Sequence, residues 1–396
     1  MMRMDKIPAG ASALARRHAG LDHLKVFLTL LVVLHHAGQP YGPTGGAWPI
    51  SHAEKFALLG PFFHINASFF MGLFFLMSGY FMPAAVDRKG AGPFLVQRLW
   101  RFGLPIVLFA VGFVPLARHF TEGRPLAECF LPLQWGHLWF LGHLLLYAGV
   151  YAAWRGWRDG RKGPRTSPAE TPAGARSDFP GWPWTLGYCL ALALASMAIR
   201  EIYPIDRWVR IGVPAEPAHL PQYVSLFCLG VLGARRRWLE RIPRATGRIW
   251  LAVALAMVVL RYAVSVLGRH FPGDDAWWFD YAWCQWEALL CVGMCIGLPY
   301  AFTTWASRAG AASRFLAENA FAVYVLHLPI LVFVQRAMEG STLGPLALTG
   351  LTALVTMLAA YGLATALARL RPRGRVPDQG LKENSTVLSA GAPGGS

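Results

Sequence analysis

Residues 21 to 36 read LDHLKVFLTLLVVLHH, and this stretch fixes the class of fold. It sets an acid, a base and two adjacent histidines on an almost wholly aliphatic segment. As an α-helix it carries Lys25 and His36 eleven residues apart, about three turns, so they share a face roughly 16 Å apart along the axis. Asp22 lies one turn before Lys25 on that face, whereas His35 points about 100° away from His36. With Ala37 and Gly38 the segment is long enough to enter or cross a bilayer. Charged groups there are costly. Asp22 and Lys25 read either as an ion pair at the membrane interface, the lysine stem reaching back toward headgroups, or as part of a site. His36 lies too deep for the first explanation, and an ionisable residue inside a span is a functional candidate by default.

Working outward, the composition agrees. The chain has 396 residues, 55% hydrophobic and only 15% charged, against about a quarter charged in a soluble domain; its mean hydropathy is +0.38. The expected fold class is all-α, a polytopic integral membrane protein. A net charge of +16 would suggest nucleic acid in a soluble chain; here the positive residues are first of all topology signals, and no nucleic-acid partner is expected. Six cysteines (Cys129, Cys189, Cys228, Cys284, Cys291, Cys295) lack metal-ligand spacing and read as apolar fillers. The first apolar run, without a small-residue cleavage site and a soluble domain behind it, is expected to be a retained span.

Apolar length and polar or Pro/Gly breaks predict ten spans, near 24–40, 64–82, 99–117, 137–154, 182–200, 219–234, 249–267, 280–302, 318–336 and 345–368. The sixth is short and holds Gln222 and Ser225, so a tilted or half-buried segment is the alternative there. With the N-terminus inside, 28 of the 37 Lys and Arg residues fall on one side. The positive-inside rule then places both termini in the cytoplasm, which requires an even number of spans. The expected division is a cytoplasmic segment over 1–20, a transmembrane domain over 21–369 and a disordered cytoplasmic tail over 370–396, with a second disordered stretch between Arg158 and Asp178. A lipid bilayer, the inner membrane of the cell, is the expected surrounding.

Five elements in order now carry a resemblance. Lys25-x10-His36, preceded by Leu21-Asp22, resembles the first-span Arg/Lys-x10-His signature of the acyltransferase 3 family of multi-pass acyl-transferring membrane proteins. Phe74-Phe75-Leu76-Met77-Ser78-Gly79-Tyr80 resembles its Phe-Phe-x-x-Ser-Gly-aromatic element, and Arg98-Leu-Trp-Arg101 followed by Pro105 its Arg-x-x-Arg element. His137-Leu-Trp-Phe-Leu141 resembles the Leu-Trp-Phe-Leu element, and Tyr324-Val-Leu-His327-Leu-Pro329 the Tyr-x-x-His near the ninth span. The wording around His137 is most similar to the branch that succinylates periplasmic glucans. Two departures stand out: Lys25 occupies a position where arginine is frequent, and Ala320-Phe321 stands where Ser-Tyr is usual.

The resemblance implies an acyl-CoA donor in the cytoplasm, an extracytoplasmic glycan acceptor and no cofactor. Moving an acyl group from a thioester to a sugar hydroxyl needs a base, and histidine, with an ordinary pKa of about 6.5, suits that task at neutral pH. His36 is the candidate base, and direct transfer is favoured over an acyl-enzyme on Ser78, which sits in a Ser-Gly packing element. Arg98 and Arg101, three apart and so on one face, suit the phosphates of a polyanionic donor because guanidinium groups offer fixed paired donors. Lys25 lies along the same path. Glu318, where similar proteins carry an acid, orients His36 or steadies Lys25, unless it only favours a helix N-terminus. Tyr324, His327, Ser78 and Asp22 complete the expected cavity or pack beside it. Two other readings stay open from the residues alone: a transporter of a glycan or anionic substrate, with charges lining a path, and a metal site on His35, His36 and His64, which lacks a carboxylate or further histidine at ligand spacing.

Overall fold

Each expected apolar run folds as one helical rod. A computed structural model describes residues 9–43, 48–162, 179–210, 212–267 and 277–370. The rods are α1 (Ala9–Gly38), α2 (Leu59–Lys89), a broken third rod α3, then α4 (Trp139–Lys162), α5 (Trp182–Arg200) and α6 (Leu220–Ala234). They continue with α7 (Arg244–Val266), α8 (Trp277–Trp305), α9 (Ala311–Ala337) and α10 (Pro345–Leu370). No β-strand occurs among the described residues, only an isolated bridge between Val209 and Ala215. α1 starts at Ala9, so it takes in part of the segment expected to precede the first span. The tail beyond Leu370, most of the stretch after Arg158 and the acidic run 271–275 lie outside the described residues.

The third rod is broken for a reason written in its sequence. It consists of helical pieces Ala91–Arg98, Leu104–Val107 and Val114–Glu122, joined by π-helical turns Leu99–Gly103 and Leu108–Phe113. Proline has no N–H to give, and its ring clashes with the carbonyl four residues back. For Pro105 that carbonyl belongs to Arg101, and for Pro115 to Val111, so each wide turn contains the carbonyl that its proline rejects. The first wide turn carries Arg101.

Named contacts give the direction of every rod. Lys25 meets Phe81 while His35 meets Phe63, so α1 and α2 are antiparallel. Phe102 meets Phe321 and Phe113 meets Phe333, so α3 and α9 run together. Phe75 packs on Phe140 and Asp87 pairs with Arg155, so α4 follows α2. Gln222 bonds Ser68, and a Cβ on Gly79 would land on the Phe227 carbonyl oxygen, so α6 follows α2 as well. Trp283 meets His64 and Phe302 meets Phe27, so α8 follows α2. Trp286 bonds Met257 while a Cβ on Gly297 would meet Leu251, so α7 opposes α8. Arg200 pairs with Glu287 while Cys189 clusters with Val292, so α5 opposes α8 too. Phe315 packs on Tyr361 while Leu331 clusters with Ala353, so α10 opposes α9. Odd-numbered rods run one way and even-numbered rods the other. α1 therefore starts, and α10 ends, at the end of the bundle that bears Lys25, Arg88, Lys89, Arg98 and Arg101, here called the basic end.

Eight of the ten rods are long and apolar enough to cross a membrane, all except α4 and α6. α4 has the length but carries Arg155, Arg158 and Asp159 in its second half. α6 has 15 residues, about 22 Å, short of the ~30 Å hydrocarbon core. Its fit beside α2 explains the Ser78-Gly79 element. Cβ atoms at Gly79 or Gly230 would run into the backbone of the facing helix, so only glycine lets the two rods lie this close. Ser78 flanks that contact, partly buried. Around the bundle, large apolar side chains such as Leu99, Trp100, Val107 and Leu108 stand outward, as a lipid-facing surface requires. α1 packs against α2, α8, α9 and α10. Five of the cysteines are buried, as expected, but Cys228 is exposed.

Candidate active site

The two histidines at the far end of α1 part ways as the 100° step requires. His35 turns to α2, where its ring lies 5.1 Å from that of Phe63 and 5.3 Å from that of Phe70. Asn66, one turn from both Phe62 and Phe70 on the same face of α2, is only 2% exposed. His36 turns the other way and stacks on Trp48, with ring centroids 5.4 Å apart at 14°, and on His327 of α9, 5.5 Å apart at 23°. Such parallel contacts fix the plane of the imidazole while leaving its edge free for chemistry.

Trp48 comes from the connection between α1 and α2 and is held there by Gln335. The indole Nε1–H donates to Gln335 Oε1 at 2.8 Å, and Gln335 Nε2 donates to the carbonyls of Ala37 at 3.2 Å and His36 at 3.4 Å. The last four carbonyls of a helix have no partner within it. Gln335, itself 1% exposed, therefore caps the end of α1 and ties His36 to α9 and to Trp48 at once.

A reciprocal clasp brings a further histidine into the site. Tyr324 Oη donates to the His137 carbonyl at 2.6 Å, and His137 Nε2 donates to the Tyr324 carbonyl at 3.0 Å, with Val325 O at 3.3 Å. The Tyr324 carbonyl also accepts from His327 Nδ1 at 2.6 Å. Pro329 is the local cause. It has no N–H for the Val325 carbonyl four residues back, so that oxygen is free to face His137. The rings of His137 and His327 end 4.7 Å apart, edge to face. His36, His327, His137 and Tyr324 thus form one cluster made by α1, α9 and the turn before α4.

Within and beside that cluster several buried polar atoms have no hydrogen-bond partner: His35 Nδ1, His36 Nδ1, Gln39 Oε1, Asn66 Nδ2, His137 Nδ1 and His327 Nε2. A buried polar group left unpaired costs about 1–3 kcal/mol, so a concentration of them in one place calls for a ligand or a task. Among the described residues no group of three or more His, Cys, Asp or Glu side chains is arranged to hold a metal ion, which removes support from the reading on His35, His36 and His64. His64 instead faces Arg261, 2.7 Å away, and Trp283. A separate cavity lined by Ser68, Ser196, Arg200, His219, Gln222 and Glu287 lies where α2, α5, α6 and α8 meet, and His36 is not among its walls.

The basic end is built differently. Lys25 Nζ pairs with Asp22 Oδ1 at 2.8 Å and lies 4.2 Å from the centre of the Phe81 ring, with both ionic side chains over a third exposed. Arg98 is sandwiched by Phe94 and Phe102, its guanidinium 5.0 and 5.1 Å from the two ring centres, and its Nε has no partner. Arg101 lies 4.7 Å over Phe321. Lys89 reaches Gln97 at 2.5 Å. The Phe321 that departs from the usual tyrosine is thus the ring beneath Arg101. Glu318 is exposed and stands nine residues, about 13.5 Å along the axis, before His327, so it is not brought to His36. Ser78 lies twelve residues along α2 from Asn66, about 18 Å, and is likewise apart from the histidines. At the same end Glu240, 6% exposed, accepts from Tyr80 and faces His18 at 4.0 Å, joining α1, α2 and the α6–α7 connection.

Of the expected residues, the structure brings together His36, His327 and Tyr324, and separately Lys25 with Asp22 and Arg98 with Arg101. Three members of the site escape sequence reasoning: His137, seen there only as part of a Leu-Trp-Phe-Leu element, and Trp48 and Gln335. Residues 18–366 match a family model, acyltransferase 3, described as an acyltransferase domain. No curated protein and no solved structure matches the chain.

Proposed function

The chain belongs to the acyltransferase 3 family, and on that premise we propose that this membrane acyltransferase takes an acyl group from acyl-CoA at the basic end and passes it to a hydroxyl of an extracytoplasmic carbohydrate, with His36 as general base. The observation that carries the reading is the setting of His36: fixed between Trp48 and His327, with an unpartnered buried nitrogen, on the helix whose other end carries Lys25. The acyl-CoA phosphates are held by Arg98 and Arg101, which ring stacking keeps in place, and the acyl arm extends between α1, α3 and α9 toward the histidines. Lys25, paired to Asp22, flanks the entrance, and Glu318 one turn from Phe321 belongs to that entrance too.

In the transfer step the acceptor hydroxyl oxygen attacks the thioester carbonyl carbon. His36 takes the hydroxyl proton as the C–O bond forms, the C–S bond breaks, and the proton passes to the departing thiolate, so that an ester and a free thiol leave. No acyl-enzyme is needed, and Ser78 packs helices instead. The alternating directions of the rods support an even number of traverses, and the basic residues at the end where α1 starts and α10 ends support a cytoplasmic placement of both termini. The inner membrane is the proposed location. The succinyl-transferring, glucan-modifying branch remains the proposed place within the family, on the His137 to Leu141 wording.

Mass spectrometry of envelope glycans from cells with and without the chain tests this reading. An ester-linked acyl group present only with the chain is expected. Glycans of identical mass in both, with altered amounts outside the membrane, would replace it with the transporter.

A further inference from the structure

His137 and His327 hold a chemical asymmetry that the transfer step does not use. The nitrogen of an imidazole that faces a carbonyl must carry the proton, because a carbonyl oxygen only accepts. His327 Nδ1 faces the Tyr324 carbonyl at 2.6 Å, and His137 Nε2 faces the same oxygen at 3.0 Å. In the neutral rings this leaves His327 Nε2 and His137 Nδ1 as bare lone pairs, and both are buried without a partner. The residues are 0% and 7% exposed, so bulk water does not meet the need. Nor can they satisfy each other, since neither carries a hydrogen, although their rings are 4.7 Å apart.

Two lone pairs in adjacent, fully buried rings ask for two hydrogen-bond donors. A cation would find no carboxylate in the cluster, and a carboxylate or phosphate would meet lone pair with lone pair. Neighbouring hydroxyls of one molecule fit: each O–H donates to one nitrogen. The His36 ring lies beside the pair, its centroid 5.5 Å from that of His327, so a further hydroxyl of the same molecule can reach it.

We infer that His137 and His327 are the acceptor subsite, taking hydrogen bonds from two hydroxyls of one polyol while a further hydroxyl of the same molecule lies at His36. This rests on the acyl-transfer reading and adds to it a demand on the acceptor: free hydroxyls beside the one that is acylated. The tautomers are set by the Tyr324 carbonyl, which both rings face, and for His137 also by the Val325 carbonyl that Pro329 leaves free.

The test uses full-length protein in nanodiscs with 15N-labelled histidine. A linear glucan hexasaccharide and its fully O-methylated counterpart are titrated in turn, with the imidazole nitrogens followed by NMR. Two lone-pair nitrogen signals, assigned by His137→Phe and His327→Leu, are expected to move with the hexasaccharide and to stay put with the methylated compound. Each substitution should weaken hexasaccharide binding about tenfold, the worth of one buried hydrogen bond. Signals that do not move in the unsubstituted protein, or that move equally with the methylated compound, overturn the inference without any variant having to fold. The acyl-transfer reading is checked apart from it, by His36→Ala. That protein should transfer acyl groups at least about a hundredfold more slowly, while the His137 and His327 nitrogen signals still move with the hexasaccharide. Transfer by His36→Ala at the normal rate would remove the general base and leave the binding result standing.

Discussion

The two ends of α1 carry ionisable groups of the same one helix, yet they are furnished in opposite ways. At the basic end Lys25 has Asp22 and the Phe81 ring, Arg98 has two phenylalanine faces and Arg101 has Phe321. At the far end His35, His36, His137 and His327 each keep a buried nitrogen without a partner. Arg98 Nε is the exception at the basic end, buried without a partner like the histidine nitrogens. On this contrast rests the proposal that the donor is bound at the basic end and the proton is moved at the far end.

Substitutions at the two ends should have separable effects. The largest effect is expected from Arg98→Ala with Arg101→Ala. Losing two charge-assisted contacts, each about 1.5–3 kcal/mol, should raise the acyl-CoA KM at least about a hundredfold in reconstituted vesicles, with insertion unchanged. Normal KM in a folded double variant would reduce these arginines to membrane flanks. Next comes Trp48→Ala. Removing one stacking partner worth about 0.5–1.5 kcal/mol and the indole bond to Gln335 should lower kcat about tenfold while the acyl-CoA KM stays put. A change in donor KM alone would place Trp48 at the wrong end of the account. The smallest effect is expected from Asp22→Asn. A half-exposed ion pair contributes about 0–1 kcal/mol, so thermal stability and acyl-CoA KM should each change little, by less than about fivefold for KM. A hundredfold loss would make Asp22 part of the chemistry rather than the support of Lys25.

How much of this was legible beforehand varies by residue, for physical reasons. Nine of the ten rods follow from apolar length and helix breakers, because in a bilayer backbone groups must be satisfied within a helix. The opposed facing of His35 and His36 follows from 100° per residue. The Tyr324 to Pro329 element shows its residues but not its purpose: Pro329 frees the Val325 carbonyl, whose use depends on His137, 188 positions away. Trp48 and Gln335 are 287 positions apart and sit in a connection and a helix end, where no periodicity marks them. Glu318 looked eligible to reach His36 because sequence distance does not tell how far along a shared bundle two helices place their side chains. α6 shows the limit of composition, since its 15 residues are held beside α2 by the Gly79–Gly230 contact rather than by length.

The most direct measurement of the central claim is acyl transfer to carbohydrate by His36→Ala and His35→Ala proteins, side by side and per amount of folded protein. Removing a general base costs about 10²–10⁴ in rate, so His36→Ala should fall at least about a hundredfold. His35→Ala, which loses packing on Phe63 and Phe70, should keep its rate within about tenfold and lose stability instead. A His36→Ala protein transferring at close to the unsubstituted rate, or a His35→Ala protein that is folded and inactive, would contradict the assignment of the far end of α1 to proton transfer by His36.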